Sequence, residues 1–375
     1  MNVLNPENSF KFCGVAGMLL GGPLALWLTL YRGLSPWIEV ILVVVAVGML
    51  LATPLAVKIA TGRDGFVFYR DVIGIFIGVT LTLRRLHQPI LSYLDVTIAG
   101  AGIFHACGRI GCLLAGCCYG RPCRLGLRYR HAHAEMGFPL DLVGVRLFPV
   151  QLLECLWILC LVGLISVLIV RQSLPGLALA VYVTGYAVGR FVFEFTRGDA
   201  ERPYLAGFSH AQWISWLLTL GVSLAEFIGV LPRLNVLLYA APLLAVMMLL
   251  VRLCRLWATA GRFELLHPRH VLEMAGLLRR LSAPLRYKPV LSIAPSGQQP
   301  IEVATTSLGL HLSAERTQHR GRDIHIYSLS CEGKLLSPRC AHLLARLISR
   351  LQHNSARFEV RHGGQGVVVH VLFAA

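Results

Sequence analysis

The sequence predicts an α-helical multi-span membrane protein, with seven to eight transmembrane helices and a small C-terminal α/β soluble domain. Three observations carry that prediction. Mean hydropathy is +0.64, and only 14% of the 375 residues are charged. The apolar residues fall in blocks close to the roughly 20 residues a helix needs to cross the hydrocarbon core. After Leu256 these blocks cease and basic residues rise.

The blocks, in order, are Phe12–Leu30, Trp37–Ala60, Phe66–Leu83, Leu91–Cys118, Phe148–Val170, Pro175–Phe195, Phe208–Val230 and Leu234–Leu256. Two are interrupted by polar residues, hence a count of seven or eight. The first block lacks a basic leader and a small-residue cleavage site, so no cleavable signal peptide is expected. Past the blocks, Leu265, Leu266, Val271, Leu272, Leu277 and Leu278 recur among charges from Arg262 to Lys288, a helical pattern. Residues 294–300, APSGQQP, read as a linker. Alternating, strand-like stretches at Ile324–Leu329 and Gly366–Phe373 flank the amphipathic segment Cys340–Leu351, with a turn at Gly363–Gly364. The expected organisation is a membrane part over 1–257, an amphipathic helical linker over 258–293 and a small basic α/β tail over 294–375.

A formal net charge of +16 fits basic loops beside anionic lipid. No nucleic-acid reader motif accompanies it, so no nucleic acid is expected as a partner. Arg84 and Arg85 flank one loop, and Arg121, Arg124, Arg128 and Arg130 lie in another. If the fourth block crosses once, these loops face opposite sides, which divides the positive-inside vote and leaves the side of the tail open.

The segment Phe104–Cys123, FHACGRIGCLLAGCCYGRPC, carries the strongest chemical signal. A guanidinium at membrane depth is costly and usually faces a cavity, a partner or a polar substrate. His105, Arg109 and Cys112 share one helical stripe by their i, i+4, i+7 spacing. Gly108, Gly111, Gly116 and Gly120 let backbone come close to whatever the arginine meets. Together these residues predict a membrane-embedded anion site.

A second stripe is Arg190, Glu194 and Arg197. It reads either as a clamp for a phosphodiester, with Glu194 holding two guanidiniums, or as an ion pair that locks helices together. Gln151 and Glu154 form an i, i+3 polar pair that suits an interhelical hydrogen bond better than catalysis. Tyr69, Arg70 and Asp71 put a phenol, a cation and an anion at the start of the third block. Five cysteines crowd residues 107–123, but their spacing matches no knuckle or finger site, so neither metal nor cofactor is expected. Thiol-redox or metal chemistry of Cys112–Cys118 is the weaker alternative, and small packing residues around a substrate cavity the simpler account.

Taken in chain order, these motifs resemble the bacterial prolipoprotein diacylglyceryl transferases. They are GFVFYRDVIG at Gly65–Gly74, HACGRIGCLLAGCCYGRP at His105–Pro122, FPVQLLE at Phe148–Glu154, GYAVGRFVFEFTRGD at Gly185–Asp199, and the FSHAQWISW that follows. The resemblance covers about Gly62 to Trp216. It implies a seven-span, multi-pass enzyme of the bacterial inner membrane that binds phosphatidylglycerol or a related anionic lipid. Such an enzyme moves the diacylglyceryl group onto the cysteine thiol of a lipobox-bearing precursor, forming a thioether and releasing glycerol phosphate.

On this resemblance Arg109 and Arg190 match the two essential arginines, with Tyr69 and His105 as further catalytic candidates. Gly108, Gly111, Tyr119, Gly120, Gln151, Glu154, Glu194 and Arg197 are the expected substrate-binding residues. The chain departs from the family pattern at several points. Tyr69-Arg70-Asp71 stands where members carry H-G-G. Cys112 and Ala115 replace two asparagines, Cys117 replaces an acid, and Phe148 replaces a histidine. These departures motivate an alternative of a different class, a diverged non-catalytic or differently coupled lipid-binding membrane protein whose basic tail docks a partner.

Overall fold

The structure, a computed structural model, describes residues 6–62, 68–257, 262–282, 302–319, 322–331, 336–352, 356–363 and 368–374. Each of the eight apolar blocks carries a helix. In order these are α1 (Pro6–Tyr31), α2 (Pro36–Thr61), α3 (Phe68–Arg85) and α4 (Ile90–Ala115), which precede a loop bearing β1 (Pro122–Arg128), α5 (His131–Ala134) and β2 (Arg146–Leu147). Then come α6 (Val150–Val170), α7 (Leu177–Phe193), β3 (Tyr204–Leu205), β4 (Phe208–Ser209), α8 (His210–Phe227), α9 (Asn235–Leu238) and α10 (Ala240–Trp257). The C-terminal part holds α11 (Arg262–Leu265), α12 (Pro268–Ser282), β5 (Val303–Thr305), β6 (Leu310–His319), β7 (Arg322–Cys331), α13 (Pro338–Gln352), β8 (Glu359–Gly363) and β9 (Val368–Ala374).

Among the described residues, six helices are long and apolar enough to cross a membrane: Asn8–Tyr31, Pro36–Ala60, Ile90–Ala115, Val150–Val170, Leu177–Thr196 and Asn235–Leu256. The architecture is that of a helical, multi-pass membrane protein. α3 carries Arg70, Asp71, Arg84 and Arg85, and α8 is only moderately apolar, so neither reaches that standard. The fourth block ends earlier than its apolarity suggests. Gly116 (φ 79°) and Cys118 (φ 55°) adopt left-handed backbone and stop α4 at Ala115, a conformation that glycine takes at no steric cost.

The chain forms two compact units that interleave along the sequence. The first comprises 1–114, 151–195 and 208–248, and the second 115–150, 196–207 and 249–375.

In the first unit, polar ties fix how the site-bearing helices run. The Asp95 carboxylate of α4 accepts from the backbone N–H groups of Gly176 (2.7 Å) and Leu179 (2.8 Å) at the start of α7. These donors have no partner inside their own helix, so a buried carboxylate there both satisfies them and opposes the positive end of the helix dipole. Arg109 lies 14 residues further along α4, about 21 Å at 1.5 Å per residue, and Arg190 lies 14 residues beyond Gly176. The two helices therefore run parallel, pinned at the Asp95 end. α1 and α4 cross so closely that a Cβ on Gly21 would lie 2.4 Å from the Gly100 carbonyl oxygen. Leu28, Val96, Ile158, Ile165, Ile169 and Ala178 fill the space between α1, α4, α6 and α7.

In the second unit a five-stranded antiparallel sheet has the order β5-β6-β7-β9-β8. Alternation along the strands turns Leu310, Leu312, Tyr327, Leu329, Val369, Val371 and Phe373 into a core with α12 and α13. The same core takes in Tyr119, Tyr129, Phe138, Leu142 and Leu147 from the loop between α4 and α6, and Arg350 of α13 donates to the Pro122 carbonyl (3.3 Å). Of the expected helix Arg262–Lys288, residues 262–282 carry α11 and α12 and residues 283–288 lie outside the described residues, while Cys340–Leu351 lies within α13. The stretch Ile324–Leu329 falls in β7 and residues 368–373 of the stretch Gly366–Phe373 fall in β9, residues 366–367 lying outside the described residues, while β5, β6, β8 and the β1–β2 pair carried no alternation that stood out in the sequence. The expected linker 294–300 and residue Gly364 of the expected turn lie outside the described residues.

Candidate functional site

The first unit gathers four of the expected site residues into one buried ion-pair network. Arg109, in the last two turns of α4, places Nε 2.8 Å from Oε2 of Glu154. Arg190, near the end of α7, places Nη1 2.5 Å from Oε1 of the same carboxylate, and its Nη2 lies 3.2 Å from Oε2 of Glu194. All four side chains are at most 9% exposed. Glu154 sits in the second turn of α6, so one carboxylate ties together three helices, with a guanidinium on each oxygen. Two cations and two anions leave the network formally neutral. That balance makes burial tolerable, because an unpaired buried charge would cost several kcal/mol, on the order of 3–5 when one partner is removed.

Around the network the wall is aromatic. His105, one turn before Arg109, packs edge-on against Tyr186 of α7, with centroids 5.0 Å apart, and Tyr186 stacks over Tyr182 at 6.4 Å. Glu154, Trp157, Ile158, Tyr186, Arg190 and Phe193 line a narrow recess between α6 and α7. Trp157 donates from its indole Nε1 to the Gly185 carbonyl at 3.0 Å. A Cβ on Gly189 would fall 2.1 Å from that nitrogen, so the glycine sets how closely α6 and α7 approach beside the ion pairs. Trp157, Tyr186 and Phe193 were missed at the sequence level although the signal was present: Tyr186, Arg190 and Phe193 share the i, i+4, i+7 spacing of one helix face.

The expected stripe Arg190–Glu194–Arg197 is corrected. α7 ends at Phe193, and Glu194–Thr196 tighten into a 3-10 turn. Arg197 therefore leaves the helix face and belongs to the second unit, where it forms a bidentate pair with Asp199 (Nε–Oδ1 2.9 Å, Nη2–Oδ2 2.7 Å). The carboxylate held between two guanidiniums is Glu154, from the pair whose sequence suited a plain interhelical hydrogen bond better. Gln151, one turn earlier on α6, is buried.

Tyr119 and Gly120 also lie in the second unit. Tyr119 is buried edge-on against Phe138 at 5.2 Å, and burial, followed by Asp199 and Glu201, pushes its phenol above the ordinary value. Gly120 pairs with Arg197 in an isolated antiparallel bridge, and a Cβ there would lie 2.3 Å from the Phe148 carbonyl oxygen. Gly111 makes its close approach to Phe10 and Cys13 of α1 rather than to the arginine, whereas a Cβ on Gly108 would meet nothing within 4 Å. Tyr69 falls in the first turn of α3 and its side chain lies outside the described residues, as do Gly65–Val67 of the same motif. No disulfide joins any of the eleven cysteines; of the crowded set, Cys107 and Cys112 belong to the first unit and Cys117, Cys118 and Cys123 to the second.

Comparison with known proteins meets this geometry along the chain. A family model for prolipoprotein diacylglyceryl transferase matches residues 12–228. A phosphatidylglycerol–prolipoprotein diacylglyceryl transferase of Clostridium tetani is 31% identical over 164 residues, 44% of this chain and 64% of the relative. One from Clostridium perfringens, the second enzyme of that name there, is 31% identical over 163 residues, 42% of this chain and 60% of the relative. One from Dehalococcoides mccartyi is 30% identical over 166 residues, 44% and 61% respectively. The chain thus spans under two thirds of the length of these relatives. The family match extends over more than half of the chain and includes every residue of the ion-pair network: the chain belongs to the prolipoprotein diacylglyceryl transferase family.

Proposed function

We propose that this protein transfers the diacylglyceryl group of phosphatidylglycerol to the cysteine thiol of a lipobox-bearing prolipoprotein in the bacterial inner membrane. The observation that carries this is the pair of family arginines, Arg109 and Arg190, held on one carboxylate at membrane depth. A guanidinium has five N–H donors in a planar fork suited to phosphate, and Glu154 orients both forks from a single point. The reaction forms the S–C bond at the glyceryl carbon and breaks the C–O bond to phosphate, whose oxygen keeps the electron pair as glycerol phosphate leaves. Arg109 and Arg190 stabilise the charge that grows on that oxygen, the kind of preorganised electrostatic help that acts most strongly away from water. The thiol must give up its proton to become a nucleophile, and His105, beside Arg109 on α4, is the proposed acceptor. Tyr69, Tyr119, Gly120, Gln151 and Arg197 are proposed to contact lipid or precursor.

In this reading α3 and α8 cross the membrane with the six more apolar helices, giving eight spans, and the transferase part covers 1–257, with a linker over 258–293 and the tail over 294–375. The test uses purified protein in detergent, labelled phosphatidylglycerol and a lipobox peptide. The expected result is a thioether-linked product from the wild type and none from Arg109→Ala. Lipid retention without any product from the wild type would replace transfer with the lipid-binding alternative.

A further inference from the structure

The second unit contains another arginine cluster, which the family site does not use. Arg121 and Arg202 both donate to the Arg197 carbonyl oxygen, at 3.3 and 3.2 Å, so two guanidiniums converge on one acceptor. The Arg202 guanidinium carbon lies 5.5 Å from the centre of the Tyr204 ring, a cation–π distance. The same ring also meets the His267 imidazole edge-on at 4.9 Å. Arg255, in the last turn of α10, donates to the Gly207 carbonyl in the same loop. Asp199 is committed to Arg197 and Arg202. Burial, with the fields of Arg202 and Arg255, holds the Arg121 guanidinium below its ordinary value. Burial first, and then Arg269, Arg121, Arg202 and Arg255, hold the His267 imidazole below its own.

This is an excess of positive charge in a partly buried place. Its depth is set by sequence: Arg197 directly follows the candidate span Leu177–Thr196, and Arg255 is the penultimate residue of the candidate span Asn235–Leu256. Residues at span ends sit at the level of lipid headgroups. Arg255 and His267 also lie beyond residue 228, where the family match stops.

We propose that Arg121, Arg202, Arg255 and His267, gathered about Tyr204, form a second anion site that takes a phosphate group at the membrane interface. The phosphate can come from an anionic lipid headgroup or from a soluble phosphate monoester, and the recognition chemistry is the same. The site stands on the second unit alone and does not depend on whether the Arg109–Arg190 network transfers lipid. The guanidiniums present forks already oriented by backbone carbonyls, so little side-chain entropy is lost on binding. A hydrogen bond to a charged group contributes about 1.5–3 kcal/mol, so each guanidinium removed weakens binding about tenfold or more.

The test counts bound phosphatidylglycerol on the full-length protein by native mass spectrometry, with sn-glycerol phosphate titrated as a soluble competitor. Arg202→Gln/Arg255→Gln should lose one bound lipid or weaken it at least tenfold, while Arg190→Gln loses a different one. Arg255→Lys, which keeps the charge, should retain most of the binding. Arg252→Gln, an exposed arginine on the same helix, should match the wild type and so excludes a general charge effect. Displacement by glycerol phosphate assigns the site to a soluble monoester, and resistance to it assigns the site to a lipid headgroup. Unchanged stoichiometry and affinity in Arg202→Gln/Arg255→Gln, with soluble phosphate also unbound, would overturn the proposal.

Discussion

In the first unit, Arg109 and Arg190 face the carboxylates of Glu154 and Glu194 across 2.5–3.2 Å, and every member is nearly excluded from solvent. In the second, Arg121, Arg202 and Arg255 gather where Asp199 already answers Arg197 and Arg202. The difference follows from depth. Within a span, a cation without a carboxylate would carry the full cost of leaving water, so the network is built neutral, and a bound phosphate must compete with Glu154 for the guanidiniums. At a span end, water and ions screen the excess charge, so a cationic cluster survives without balance and can meet an anion directly. On the reading proposed above, one cluster serves charge that develops during a reaction and the other charge already present on a ligand.

Upsetting the balance of the first cluster should have the largest effect. Glu154→Gln leaves two guanidiniums facing each other without their shared carboxylate, and about 3–5 kcal/mol of stability should disappear. Thermal unfolding in detergent reads this directly, and a melting temperature equal to wild type would show that Glu154 is not the keystone. Glu194→Gln weakens the 3.2 Å pairing with Arg190 and should cost less, roughly 1–3 kcal/mol, in the same assay. The second cluster should respond in the opposite sense. Asp199→Asn removes its counter-charge, so phosphate binding should tighten several-fold while stability falls by about 1 kcal/mol. Weaker phosphate binding in that variant would contradict the cationic reading.

The smallest effect concerns pH. His267 in the folded chain takes a proton less readily than the ordinary imidazole near 6.5, so as pH falls through that value the unfolded chain binds the proton first and stability declines. His267→Gln should flatten this acid-side loss in melts recorded between pH 5 and 8. An unchanged slope would remove His267 from the cationic field.

How much of this was legible in the sequence depends on the range of the interaction. Local apolarity marked all eight long helices, and the single strong motif around Arg109 marked the site. The i, i+4 pairing of Arg190 with Glu194 was legible as well, because both lie one turn apart. What escaped was set by contacts between distant segments. Nothing local shows that Glu154 would reach Arg109, 45 positions earlier, rather than only its own helix neighbours. Arg197 looked like a continuation of the α7 stripe because helical spacing assumes the helix continues, whereas Glu194–Thr196 tighten into a 3-10 turn and Arg197 pairs with Gly120 instead. The sharing of one core by Tyr119, Tyr129 and Phe138 with the tail strands likewise has no periodic signature, since it joins residues some 200 positions apart.

The central claim is that the neutral Arg109–Glu154–Arg190–Glu194 network serves diacylglyceryl transfer. The most direct measurement is thioether formation on a lipobox peptide from labelled phosphatidylglycerol, comparing wild type, Arg109→Ala and Arg252→Gln at equal amounts of folded protein. Product from the wild type and Arg252→Gln, with none from Arg109→Ala, is the predicted result. Product from Arg109→Ala at the wild-type rate would contradict it.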